Sequence, residues 1–295
     1  MLSILIPVYN YNISSLVLEV HEQATKANIK FEIICFDDNS EKHTLENKSI
    51  IGSLPDSKII ISKDNVGRIK ARQMLSNASI YSWLLFLDAD VRLKSKTFIE
   101  RYIVNIDSEY EVIFGGFAYT DIKPENNAVL RWKYGKAYEE VDAKKRNLKP
   151  YQLIISANCF IKKNVFNKIN RKINKKGYGL DNYFAALLKQ NNIKVLHLNN
   201  EVYHFGIENS TTYLNKAEEC IITLLWLYDG GKMQKHNNKL LTAFVVFKQL
   251  KANYFMAFFY KNFKAAMKKN LLGPNPNMLL LQMYKLSYIC NKDLN

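Results

Sequence analysis

The sequence predicts an α/β protein built on a mostly parallel sheet and followed by a helical C-terminal extension. Short apolar runs recur early in the chain, segments with helical patterning separate them, and from Ser210 onward the pattern is helical throughout. Apolar runs without polar alternation suit strands buried on both faces, and strands alternating with helices build a doubly wound parallel sheet. Such sheets bind their ligands at the carboxyl ends of the strands.

The early strands are expected at 2–8, 31–36, 58–62 and 83–87, with helices at 14–27 and 66–78 between them. Past the aspartates at 88 and 90 the rhythm loosens. A strand candidate lies at 112–116, a polar stretch begins at Asp121, and another apolar run spans 153–161. A helix at 181–190 and a strand at 194–198 then complete a mixed sheet in the same domain. In the tail, Gly230-Gly231 and Gly273-Pro274-Asn275-Pro276 break three apolar, aromatic, lysine-studded segments from what precedes them or from one another. Residues 1–209 therefore form the expected α/β domain and 210–295 the helical extension. No internal repeat or low-complexity tract is present. With 295 residues, 48% of them hydrophobic, the chain can bury a sizeable core.

The sharpest chemical feature is Leu84-Leu85-Phe86-Leu87-Asp88-Ala89-Asp90, an apolar strand ending in two carboxylates one residue apart. That spacing leaves both acids at the strand's carboxyl edge, where hard oxygen ligands can hold Mg2+ or Mn2+ against a diphosphate. Taken alone, a bare D-x-D reads more readily as two unrelated acids at a solvated strand end. It also opens the site of haloacid-dehalogenase-type phosphatases. Those usually carry Thr or Val two residues after the second Asp and place the motif near the N-terminus. Here that position is Arg92, and a long βαβ region precedes the motif.

Ordered features surround the aspartates. The first strand runs into Ile6-Pro7-Val8-Tyr9-Asn10 and the second into Asp37-Asp38-Asn39-Ser40, after which come Asn65-Val66-Gly67, Arg72 and Asp88-Ala89-Asp90. Together these resemble the donor half of family-2 glycosyltransferases of GT-A fold. The resemblance implies an inverting transferase that moves a sugar from a nucleotide-sugar donor, a UDP-sugar, to an acceptor hydroxyl with the help of Mn2+ or Mg2+. It implies roles by position. Pro7 and Tyr9 match the loop against the nucleoside, and Asp38 matches the carboxylate that accepts the uracil N–H. Arg72 matches the basic residue beside base and phosphates, and Asp88 lies by the ribose and metal. Asp90 matches the direct metal ligand. Read without the resemblance, Tyr9-Asn10 is a turn, Asp37 or Asp38 a helix N-cap, and Arg72 a solvated helix residue.

A second cluster, Gly177-Tyr178-Gly179-Leu180-Asp181 followed by Val202-Tyr203-His204, resembles the family's acceptor half. There a glycine-rich turn leads into an acidic pair at a helix start, and a later strand ends in V-x-H. This chain has Leu180-Asp181-Asn182 where Glu-Asp is usual, so Asp181 inherits the role of catalytic base, with its register open by one position. By the same match His204 reaches the metal or diphosphate. His197 sits within a strand and reads as structural, and Asn158 reads equally well as an acceptor-pocket residue or a buried hydrogen-bonded amide. The resemblance covers residues 1–205 in motifs. It implies work on a glycan or lipid-linked acceptor in cell-surface polysaccharide or glycolipid synthesis. The rival readings are the phosphatase, acting through Asp88, and a non-catalytic nucleotide-sugar binder.

Charge is distributed unevenly. The chain carries +15, and from Lys232 onward eleven lysines face one acid, Asp293, so +10 lies in the tail. Lysines interleaved with aromatics suit an interfacial helix against anionic lipid, or alternatively a helical subdomain with a solvated face. No recognised nucleic-acid-binding module accompanies the charge, so nucleic acid is not an expected partner. The four cysteines form no C-x-x-C pair and read as reduced, buried thiols. The opening apolar run has no basic flank or cleavage site and reads as a strand. A cytoplasmic protein, peripheral at the inner face of the cell membrane, is the resulting expectation.

Overall fold

The computed structural model describes residues 1–295, which fold as two compact units. The first comprises Met1–Ala118, Val141–Lys176 and Asn191–Gly206, and it holds every strand: β1 (Leu2–Val8), β2 (Phe31–Asp37), β3 (Ser57–Ile61), β4 (Trp83–Leu87), β5 (Val91–Leu93), β6 (Val112–Phe114), β7 (Phe117–Ala118), β8 (Asn158–Lys162), β9 (Val195–His197) and β10 (Val202–His204). Seven form one sheet in the order β3-β2-β1-β4-β8-β6-β9. The expected α/β class holds. The β3-β2-β1-β4 half is parallel, β8 runs antiparallel to both neighbours, and β6 and β9 are again parallel.

The parallel half follows from the sequence pattern. Every residue of β2 and β4 is buried, as continuous apolar runs require when helices cover both faces. Helix Ser14–Lys26 turns Leu16, Val17, Val20 and Ala24 inward at helical spacing, in contrast to the period-two strands it connects. Trp83 of β4 stacks on Phe160 of β8 with centroids 4.3 Å apart, and Tyr102 lies over the same Phe160 ring at 5.1 Å. The antiparallel strand β8 is thereby packed as well as hydrogen-bonded into the sheet.

A second, three-stranded sheet has the order β5-β10-β7. Its strands are two or three residues long, too short to show a period in sequence. It is nevertheless the element that builds the site, because β5 starts directly after Asp90 and β10 ends at His204.

The second unit comprises Tyr119–Glu140, Gly177–Gln190 and Ile207–Asn295 and is helical. Its long helices are Ser210–Asp229, Lys239–Gln249, Asn253–Leu271 and Met278–Asp293, so both glycine breakers fall between helices. Asn209, Asn238 and Asn277 cap the first, second and fourth of these through side-chain oxygens that accept backbone N–H groups. The polar stretch after Asp121 also contains a helix, Val129–Tyr138. Its pattern is hidden because it buries a charge: Arg131 lies inward and pairs with Glu139 at 2.9 Å.

Candidate active site

The parallel register sets the ends of β1, β2 and β4 along one edge of the large sheet, and the donor-side candidates follow those ends. Pro7 lies within β1, opposite Phe36 of β2, and Tyr9 stands just beyond β1 and is 54% exposed. Such an aromatic face has room for a base. Asn10 has a left-handed backbone, φ 52°, and its side-chain oxygen accepts the N–H groups of Glu41 at 2.8 Å and Lys42 at 3.2 Å. The loop after β1 is thus tied to the loop after β2.

Asp38 is buried, and both of its carboxylate oxygens accept backbone N–H groups, Oδ1 from Val66 at 2.7 Å and Oδ2 from Gly67 at 2.9 Å. These charge-assisted bonds fix a loop in which Gly67, at φ +80°, precedes helix Arg68–Ala78. An ionised carboxylate offers about four lone-pair sites, so Asp38 keeps acceptor capacity beyond the loop. The helix it anchors carries Arg72. Arg72 Nη2 reaches Asp88 Oδ1 at 2.5 Å, with the Arg72 side chain 5% exposed and Asp88 34%. A cation this buried requires its counter-charge, so the pair also holds Asp88 in place. Arg72 is therefore not a solvated helix residue.

Asp90 is positioned by the small sheet. Val91 of β5 stands opposite His204 of β10, and the Asp90 carbonyl accepts the Phe205 N–H at 2.9 Å. The Asp90 Oδ2 and His204 Nε2 atoms are then 3.3 Å apart. The His204 ring packs against Phe117 of β7, centroids 5.0 Å apart, so all three short strands contribute to this corner. Tyr11 is half-buried nearby, and its phenol is pushed up in pKa by burial and then by the Asp90 charge, with Arg92 acting in the opposite sense.

Gly206 completes the corner, and sequence reasoning missed it. A Cβ at this position would lie 1.8 Å from Asp90 Oδ2. Only glycine leaves the carboxylate where it stands. Its one visible signal is its place two residues after His204.

The remaining candidates belong to the second unit or serve structure. Asp181 belongs to the second unit, in the first turn of helix Leu180–Gln190, after Gly177 and Gly179 with φ of +137° and +84°. Its neighbour Asn182 is committed, since its Oδ1 accepts the Asn238 side-chain N–H at 2.8 Å. Asn158 is fully buried and bonded to Tyr102 Oη at 2.5 Å, to the Gly116 carbonyl at 3.0 Å and to the Asn200 carbonyl at 2.9 Å, as a structural amide would be. His197 accepts from Arg146 Nη1 on Nδ1 at 3.0 Å and donates from Nε2 to the Pro150 carbonyl at 2.9 Å. Burial pulls its pKa down to about 4, so it is a neutral, structural histidine.

The Glycosyl transferase family 2 profile matches residues 3–170, more than half of the chain. This chain belongs to glycosyl transferase family 2. Among solved structures it is similar to a mannosyltransferase from Pyrobaculum calidifontis in complex with GDP-Man and Mn2+, at TM-score 0.56 and 11% identity over 99% of this chain and 86% of that one. Mannosyl-3-phosphoglycerate synthase from Rubrobacter xylanophilus follows at TM-score 0.53 and 14% identity, over 79% and 76%. S. aureus TarS 1-349 matches at TM-score 0.51 and 17% identity, over 76% of this chain and 65% of that one. This family-2 chain thus spans somewhat less than two thirds of TarS 1-349. At these identities the likeness is one of fold, and the fold is GT-A. No curated protein matches the sequence.

Proposed function

We propose that this family-2 protein transfers a sugar from a nucleotide-sugar donor, with UDP as the nucleotide, to an acceptor hydroxyl of a glycan or lipid-linked saccharide, with inversion at the anomeric carbon. The observation that carries the proposal is the corner at the end of β4, where Asp90 and His204 converge beside the Arg72–Asp88 pair. The nucleotide sugar and Mn2+ named for the Pyrobaculum calidifontis mannosyltransferase support the donor class and the metal.

A carboxylate oxygen and an imidazole nitrogen stand 3.3 Å apart there, the carboxylate being the hard ligand that Mn2+ or Mg2+ takes and the imidazole favouring the transition metal of the two. No cluster of three or more His, Cys, Asp or Glu side chains accompanies them. Asp90 and His204 would therefore hold the ion jointly with the donor's phosphates, the usual arrangement for Mg2+ at a diphosphate. The ion would neutralise charge on the departing diphosphate. Around it, Tyr9 covers the base, Pro7 shapes the nucleoside loop, Asp38 accepts an N–H of the uracil, and Arg72 with Asp88 sets the side that faces ribose and phosphate. Asp181 takes the proton from the acceptor hydroxyl as that oxygen bonds to the anomeric carbon and the bond to the diphosphate breaks. Asp181 is the only carboxylate in the first turn of this helix, which supports it as the base. We assign residues 1–209 to the transferase domain and 210–295 to an extension that lies against anionic lipid on the cytoplasmic side.

Calorimetry of UDP binding with and without Mn2+ tests the site. Wild-type protein should bind UDP more tightly with the ion, and Asp90→Ala should lose that enhancement. Unchanged, metal-enhanced UDP affinity in the variant would sink the donor-site assignment.

A further inference from the structure

A cleft of about 570 Å3 in the second unit is lined by none of the residues discussed so far in a chemical role. It runs between helix Val129–Tyr138 and the start of helix Met278–Asp293, and Trp132, Ala137, Met278 and Leu279 give it an apolar lining. Its size falls within the range of small-ligand sites. The Trp132 indole is fixed, because Nε1 donates to the Thr120 carbonyl at 2.9 Å. Leu279 is 74% exposed, so the apolar wall it forms is open to solvent.

The polar groups of the cleft define what that is. Lys133 Nζ bonds to Asn275 Oδ1 and to the Pro276 carbonyl at 3.4 Å, which ties the two walls together. Asn277 Oδ1 accepts the N–H groups of Leu279 at 2.9 Å and Leu280 at 3.1 Å. Both amides have their oxygens engaged, so each is left with an NH2 donor. Lys136 is ion-paired to Asp121 and to Glu140 at 3.7 Å, so it adds little net charge to attract a diphosphate. A rigid aromatic face with two amide donors and the Lys133 ammonium at its edge suits a ring with one apolar CH face and a rim of hydroxyl oxygens. An acyl chain has no such rim of acceptors.

We propose that this cleft is a saccharide-binding subsite, in which a sugar ring stacks on Trp132 and its hydroxyls accept from Asn275 and Asn277. The inference rests on the glycosyltransferase reading for its biological sense, since an enzyme that extends a glycan gains from holding acceptor residues remote from the reacting hydroxyl.

Saturation-transfer NMR with chitotetraose as a neutral probe and a hyaluronan tetrasaccharide as an acidic one tests it. Transfer to sugar CH protons should occur with at least one probe. It should fall at least fivefold in Trp132→Ala and in Ala137→Glu, the latter a change at an exposed position that fills the cleft without touching a core. UDP affinity in the presence of Mn2+ should be the same in both variants as in wild type. Transfer to neither tetrasaccharide, or undiminished transfer in Ala137→Glu, overturns the subsite. Those results with intact UDP binding leave the donor reading standing, whereas loss of UDP binding in wild type with saccharide transfer preserved strikes the donor reading alone.

Discussion

Asp90 shows how much one residue's role depends on atoms far from it in sequence. The D-x-D spacing is visible in the chain and so is V-x-H, but their convergence is not, because it depends on three-residue strands that pair β5 with β10. Gly206 is less visible still. A Cβ there would overlap Asp90 Oδ2 at 1.8 Å, and the mobile part of that contact is the carboxylate itself. Gly206→Ala should therefore push the carboxylate away from His204, weaken metal-enhanced UDP binding as Asp90→Ala does, and cost about 1–3 kcal/mol in stability as an overpacked site does. Thermal unfolding without metal provides an independent check through a double-mutant cycle. In an Asp90→Ala background most of the cost of Gly206→Ala should vanish, since its partner is gone. An equal cost in both backgrounds would mean that glycine is required there for some other reason. Asp38 and Arg72 were legible as candidate site residues only through their order in the chain. Their partners, the Val66 and Gly67 N–H groups and the Asp88 carboxylate, are facts of packing.

At the scale of elements, the long strands and helices were legible and the short ones were not. Continuous apolar runs placed β1, β2 and β4 to within a residue, because burial on both faces leaves no alternation to misread. Helix Val129–Tyr138 was obscured by buried Arg131, whose pairing with Glu139 cannot be seen as a period. The turn before helix Leu180–Gln190 lies between these cases. Its glycines adopt the positive φ values that glycine favours, and a Cβ on Gly179 would also come within 3.0 Å of the Cys220 backbone. The turn thus delivers Asp181 to a fixed place in the helix's first turn. Asp181→Asn keeps the size and the hydrogen-bonding shape but removes the capacity to accept a proton. Donor binding should be nearly intact, and transfer to the acceptor should fall by a factor on the order of 100 or more. A residue that merely stabilised the helix start would lose little on this change, since Asn serves there almost as well as Asp. Transfer rate measured beside UDP affinity separates the cases. Wild-type transfer in the variant would place the base elsewhere. Absence of transfer in wild type, despite UDP binding, would favour a non-catalytic binder.

For the whole molecule, the decisive quantity is where the +15 lies. Between Asp229 and Asp293 there is no acid at all, and the structure shows that few of the tail's lysines are neutralised: Lys248 pairs with Asp293 at 2.5 Å and Lys268 with Glu218 at 2.9 Å. On the same stretch Leu250, Tyr254, Phe255 and Phe258 are 73%, 62%, 67% and 63% exposed, although aromatics this dense could have packed a core. No helix is long and apolar enough to cross a membrane. Exposed aromatics beside unpaired lysines would suit the proposed lipid interface, with the rings among the headgroups and the ammonium groups toward anionic lipid. Each lysine near such a surface contributes roughly 1 kcal/mol, and the attraction is screened within about 10 Å at moderate salt. The full chain should therefore co-sediment with phosphatidylserine-containing vesicles, release as salt rises, and bind pure phosphatidylcholine vesicles far more weakly. Phe255→Ser combined with Phe258→Ser should weaken binding at low salt by about tenfold or more, because each ring contributes about 1.5–3 kcal/mol when buried. A purely electrostatic tail would hardly respond to that change. Equal binding of neutral and anionic vesicles, or none to either, would return the extension to an ordinary helical unit whose lysines face water.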